Sequence, residues 1–218
     1  MKESNQPVKR SIFTEIINCI KIAVEYFIGI LKFRNLMPCI TIYGSARLDK
    51  KTKEYQLTFD LAKKLTESGY NIITGGGPGI MQAANEGAYS SKKGKSAGCS
   101  IYIPHETFSN PFLEFHHHCN YFFIRKVLLT RFSSGFIALP GGFGTLDELF
   151  EMLTLIKTHR ISNFPIILVD KKFWEPMLDF IKDKMLTRGT VSEDEMECIS
   201  ITDDISEALA IIKKSHGK

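Results

Sequence analysis

At 218 residues, with 44% hydrophobic and 24% charged residues, the chain has the size and composition of one globular domain with extensions. That balance excludes wholesale disorder, collagen-like repeats and a polytopic membrane protein. The 28 basic and 24 acidic residues leave a formal charge of +4, too small an excess to name a nucleic-acid partner without a basic stripe. Cys19, Cys39, Cys99, Cys119 and Cys198 are scattered and odd in number, with no C-x-x-C pair, so reduced thiols in a cytoplasmic protein are expected rather than a disulfide framework or zinc site.

From Ile12 to Leu31 apolar residues dominate, but Glu15, Lys21 and Glu25 interrupt them. Each charge at a bilayer centre costs roughly 2.5–3.5 kcal/mol on insertion scales, so no transmembrane segment is expected. The stretch predicts a helix that packs on the domain or on a partner subunit, with a membrane-surface helix as the alternative. It makes a helical extension over 1–35, ahead of a single nucleotide-binding domain over 36–218.

Beyond Pro38, short apolar runs alternate with helix-period stretches, which is the pattern of a parallel α/β sheet. A strand over Cys39–Tyr43 ends at Gly44-Ser45-Ala46-Arg47, and a helix is predicted over 54–68. A strand over 70–74 meets Gly75-Gly76-Gly77-Pro78-Gly79, and a helix over 78–90 follows. Next come a strand over 98–103, a Pro-containing loop over 104–111, an extended piece over 115–119 and an aromatic-headed helix over 121–132. The strand over 135–139 runs into Pro140-Gly141-Gly142-Phe143-Gly144-Thr145 and a helix to about Lys157. A strand over 165–169 and helices over 173–187 and 203–214 complete the expectation. The fold class is α/β: a Rossmann-like, doubly wound, mostly parallel sheet with an additional N-terminal helix.

Both glycine-rich turns follow a strand and precede a helix, so they lie at the carboxyl edge of the sheet, where open α/β folds bind ligands. Such turns let backbone N–H groups and a helix dipole approach an anion, and phosphate is the natural guest. Neither turn carries the lysine of a P-loop or the pattern of a dinucleotide fingerprint, which disfavours an ATPase or a dehydrogenase. Asp147 and Glu148 follow the second turn. They could cap the helix, or a carboxylate beside a bound sugar phosphate could stabilise a cationic transition state.

The run Pro140 to Glu148 resembles the P-G-G-x-G-T-x-x-E signature of the LOG (LONELY GUY) family, the cytokinin riboside 5'-monophosphate phosphoribohydrolases once mislabelled lysine decarboxylases. The resemblance extends to Gly75-Gly76-Gly77-Pro78-Gly79-Ile80-Met81, to Gly44-Ser45-Ala46-Arg47 and to Arg125-Lys126, and spans roughly residues 39 to 212. It implies that Arg125 and Glu148 are catalytic. It likewise implies that Gly44, Ser45, Gly76, Gly77, Gly79, Met81, Lys126, Pro140, Gly141, Gly142, Phe143, Gly144 and Thr145 hold substrate or its phosphate. Asp147 stands where plant-type members usually have glutamate.

The activity implied is hydrolysis of the N-glycosidic bond of a nucleoside 5'-monophosphate, AMP or a cytokinin riboside monophosphate, without metal or organic cofactor. The alternative is a non-catalytic nucleotide or cofactor carrier of the same fold. Decarboxylation is not expected, because the S-x-H-K surroundings of a pyridoxal-phosphate lysine are missing. Consecutive His116, His117 and His118 alternate faces in an extended segment, so no metal site is expected there. Lys92, Lys93 and Lys95 read as a solvated loop, and Tyr121, Phe122 and Phe123 read as core. The helices around Arg125 and Glu148 carry apolar residues on more than one face, and the resemblance implies a homodimer or higher homo-oligomer through them. An N-terminal helix folded back over that surface would instead leave a monomer.

Overall fold

The computed structural model describes residues 11–102, 108–161 and 164–217. The end of the strand expected to reach residue 103, part of the Pro-containing loop, the first ten residues of the extension and Lys218 lie outside them. Seven strands form one sheet: β1 (Cys39–Tyr43), β2 (Asn71–Thr74), β3 (Ser96–Ile101), β4 (Phe115–Cys119), β5 (Ser133–Ala138), β6 (Ile166–Val169) and β7 (Ile199–Thr202). Their order is β4-β3-β2-β1-β5-β6-β7, and every neighbouring pair is parallel. The sheet is therefore wound outward in both directions from β1 and β5, and that junction is the topological switch point of a Rossmann-like fold.

A strand covered on both faces must be apolar on both, and β1 shows it. Ile40 and Ile42 join a core beneath α2 (Lys53–Glu67), α3 (Ile80–Ser91) and α8 (Ile205–Ser215), with Leu61, Leu65, Ala84, Ala88 and Ile212. Cys39 and Tyr43 point the opposite way, into a core beneath α4 (Phe122–Arg131), α5 (Phe143–Lys157) and α6 (Lys171–Phe180), with Leu128, Leu149 and Trp174. The N-terminal helix α1 (Ile12–Phe33) starts at Ser11, whose hydroxyl accepts from Phe13 N, and lies against α4 and β4. Glu25 fastens it by accepting from Asn120 N and Asn120 Nδ2 at 2.9 and 2.7 Å. Lys32 Nζ adds a bond to the His116 carbonyl at 2.9 Å.

Four sequence expectations need correction. β3 begins at Ser96, not Gly98, because Glu114 accepts from the Ser96 N–H and Asn85 bonds its hydroxyl, holding it in the sheet. The helix expected over 173–187 stops being α-helical after Phe180 and continues as a π turn (Ile181–Met185) and a 3₁₀ turn (Leu186–Arg188). A short helix α7 (Glu193–Met196) and edge strand β7 were not foreseen. Phe122 and Phe123 are not core: they are 59% and 51% exposed, and α4 buries Ile124, Leu128 and Leu129 instead.

Candidate functional site

The three loops that leave β1, β2 and β5 meet at the switch point. Ser45 N donates to the Pro140 carbonyl at 3.0 Å, and Ile80 N donates to the Ser45 carbonyl at 2.9 Å, so the first loop bridges the other two. At Gly79 the backbone has φ +66°, and a Cβ there would run into the backbone of Ser45 and Ala46. Only glycine fits that crossing. Gly44 lies under Ile80, and Gly77 faces the Met81 thioether. Gly76 N donates to Thr74 Oγ1 at 2.9 Å, and Thr74 Oγ1 in turn donates to Asn85 Oδ1 at 2.7 Å. The β2–α3 turn is thus tied down by its own side chains and neighbours.

The β5–α5 turn is open. Among the described residues, nothing beyond the local backbone lies within 4 Å of where a Cβ on Gly142 or Gly144 would be, and no side chain caps α5 at its start. The Phe143 side chain is 92% exposed, so this residue brings only its backbone to the helix start. Thr145 is buried against Gly141. The start of α5 therefore presents backbone N–H groups and the positive end of the helix dipole at the switch point.

Arg125 and Glu148 stand 23 positions apart, and α4 and α5 bring them together on one face of the sheet. Arg125 Nη1 donates to Glu148 Oε1 at 3.0 Å, with the side chains 13% and 5% exposed. Arg125 Nε donates to the Cys99 carbonyl at 3.0 Å, which fixes the guanidinium plane. Burial raises the Glu148 carboxyl above its ordinary value, against the opposing pull of Arg125 and Lys126. A carboxylate so placed ionises more readily than a bare buried acid, and it is more basic than a surface one.

Lys126 Nζ ion-pairs with Asp147 at 2.7 Å and with Glu151 at 2.9 Å. Burial lowers its pKa, but the hydrogen bonds to these two carboxylates outweigh that and leave it raised. Two neighbours escaped the sequence reading. A Cβ on Gly75 would fall on Arg125 Nη2, so this glycine makes room for the guanidinium. Tyr43, at the end of β1, stacks on Phe136 at 4.7 Å, and its hydroxyl pKa is pushed well up by burial and then by the Glu148 charge. Its position immediately before Gly44 was the available signal. His116 and His118 share Ser100 Oγ on one side of β4, at 2.7 and 2.9 Å, while His117 is buried on the other.

The family model described as "Possible lysine decarboxylase" matches residues 81–212, well over half of the chain. The chain belongs to this family, the LOG family. Among LOG-family relatives, a rice (Oryza sativa subsp. japonica) protein named cytokinin riboside 5'-monophosphate phosphoribohydrolase LOG is 29% identical over 163 residues, covering 73% of this chain and 66% of that protein. A Rhodococcoides fascians protein named cytokinin riboside 5'-monophosphate phosphoribohydrolase is 25% identical over 181 residues, covering 80% of this chain and 88% of its own. The chain thus spans just under two thirds of the rice relative's length. In three dimensions the LOG-family chain resembles a molybdenum cofactor carrier protein from Chlamydomonas reinhardtii, with a TM-score of 0.61 at 19% identity over 83% of this chain and 99% of that one. The molybdenum cofactor binding protein of Rippkaea orientalis gives 0.57 at 19% identity, over 80% and 93%. At such identities the likeness shows the fold.

Proposed function

We propose that this LOG-family protein hydrolyses the N-glycosidic bond of a nucleoside 5'-monophosphate, AMP or a cytokinin riboside monophosphate, to the free base and ribose 5-phosphate. The observation that carries this reading is the buried Arg125–Glu148 pair set beside an open helix start. In this reading the phosphate rests on the backbone N–H groups at Gly142, Phe143 and Gly144, and Thr145 closes the turn behind it. The ribose then lies toward Glu148.

As the bond from C1' to the base nitrogen breaks, positive charge develops on the sugar, and the Glu148 carboxylate stabilises it from a site with little water. Water attacks C1', Glu148 takes its proton, and the departing base nitrogen is protonated in turn. The raised carboxyl pKa suits the group to that proton transfer. Arg125, anchored on the Cys99 carbonyl, keeps Glu148 aimed and charged. Gly44, Ser45, Gly76, Gly77, Gly79 and Met81 shape the wall opposite, while Lys126 tunes the carboxylates at the start of α5.

The same reading has the protein act as a homodimer through α4 and α5, whose Phe122, Phe123, Val127 and Phe150 are exposed apolar side chains. The experiment that tests the activity incubates the pure protein with a panel of nucleoside 5'-monophosphates and measures released base by chromatography. Release of a purine base supports hydrolysis. Tight binding with no release from any member would replace it with the carrier reading.

A further inference from the structure

The outer face of α1 is apolar and exposed. On ordinary amphipathic surface helices the apolar stripe faces the domain and the charges face water. α1 is apolar on two sides: Ile22, Tyr26, Ile30 and Phe33 pack on the core, Gly29 lets the helix settle against Leu128 and His117, and Glu25 and Lys32 are spent on Asn120 and the His116 carbonyl. The side turned outward is apolar. Phe13, Ile17, Ile20, Val24, Phe27 and Leu31 follow one another at intervals of 4, 3, 4, 3 and 4, the a/d spacing of a coiled coil, and are between 37% and 68% exposed. Every second one, Ile17, Val24 and Leu31, falls on an a position, and two of those three are β-branched.

We infer that α1 pairs with the α1 of a second copy of this chain through that seam. Three observations select the copy over other occupants. The seam repeats with heptad spacing over the 19 residues from Phe13 to Leu31, about 27 Å of helix, so its complement is another helix of the same length and spacing, which an isologous contact supplies. The exposed parts of the seam with its flanking Ile16 and Ile28 come to roughly 750 Å², close to the figure of about 800 Å² per partner in a stable interface. Finally, the charges within α1 are two acids, Glu15 and Glu25, and two bases, Lys21 and Lys32, whereas a helix lying in a lipid surface carries a basic polar face turned to the headgroups. None of these depends on the reaction at Arg125 and Glu148.

The test is sedimentation equilibrium on the full chain at micromolar concentration, for the wild type and for Ile20→Glu/Phe27→Glu. Both positions are more than half exposed in the single chain, so the substitutions leave its own core intact; a far-UV spectrum and the nucleotide assay check this. The expected result is a twofold lower mass for the variant than for the wild type. A second full-chain variant, Ile20→Cys, should give an interchain bismaleimide cross-link that the parent, with exposed Cys19 alone, does not match in yield. A wild-type mass near the chain's 24.7 kDa, or equal masses for wild type and variant, overturns the pairing. So does flotation of the wild type, but not of the variant, with phosphatidylcholine–phosphatidylglycerol vesicles at unchanged mass, which would hand the face to a membrane. An α4–α5 dimer that survives the α1 substitutions is distinguished by its unchanged dimer mass.

Discussion

The two glycine-rich turns look alike in sequence and differ in what surrounds them. After β2, the turn is filled from within: Gly75 underlies Arg125, Gly77 faces Met81 and Gly79 crosses the Ser45–Ala46 backbone. After β5, Gly142 and Gly144 border open space and Phe143 stands in solvent. Glycine serves close packing in the first turn and at Gly141 of the second, where a Cβ would fall on Thr145, and access at Gly142 and Gly144. A glycine signature alone therefore does not say which loop receives a ligand; the atoms around each missing Cβ do.

Substitutions that add a Cβ separate the two jobs. Gly79→Ala should be the most disruptive, since it strains a left-handed backbone and collides with main chain that cannot yield, at a cost of about 3–5 kcal/mol. Thermal denaturation would register this as a large fall in Tm or as loss of folded protein, and a variant as stable as the parent would erase the contrast. Next in size is Glu148→Gln, which keeps shape and the Arg125 contact but not the charge. Turnover should fall about a thousandfold with nucleotide affinity preserved, and undiminished base release would remove Glu148 from the mechanism. Gly144→Ala belongs to the open turn. Its stability should change by no more than about 1 kcal/mol, in the favourable direction for a helix residue, while affinity for a nucleoside monophosphate weakens several-fold by calorimetry. Equal affinity would mean that the phosphate lies elsewhere.

Much of the sheet was legible because its central strands are buried on both faces. Continuous apolar runs such as Cys39–Tyr43 and Ile166–Val169, closed by glycine or proline, leave little choice of structure. β7 was not legible: Ile199, Ser200 and Ile201 are only partly buried, and four residues at a sheet edge carry too weak a pattern. Phe122 and Phe123 misled for a related reason, as a short helix with almost evenly spread apolar residues does not announce its buried stripe. The glycine-rich turns and Glu148 stood out from their place between strand and helix, but Arg125 was singled out only through the family motifs. Spacing within the chain does not bring Arg125 to Glu148; the winding of α4 and α5 about β5 does. Gly75 and Tyr43 join the pair through packing that no local pattern encodes.

The smallest expected effect is also the most specific, because it predicts opposite signs at two touching residues. Burial holds the Glu148 carboxyl above its ordinary value, Arg125 and Lys126 pull it down, and Glu151 and Asp147 push it up. Glu148 acts as a base when ionised, so kcat/KM should fall as pH drops through this raised pKa. Lys126→Met removes a cation that favours the carboxylate, and the acid limb should move to higher pH. Asp147→Asn removes a like charge and releases Lys126 from one of its two ion pairs, and the limb should move to lower pH. Each shift should be about one pH unit or less, since charges this close to solvent are screened. General loosening of the site would move both variants the same way, or lower the plateau without moving the limb. Opposed shifts, read from the pH dependence of base release, would show that the proton taken in the reaction is held at Glu148 and that the charges of Lys126 and Asp147 tune it.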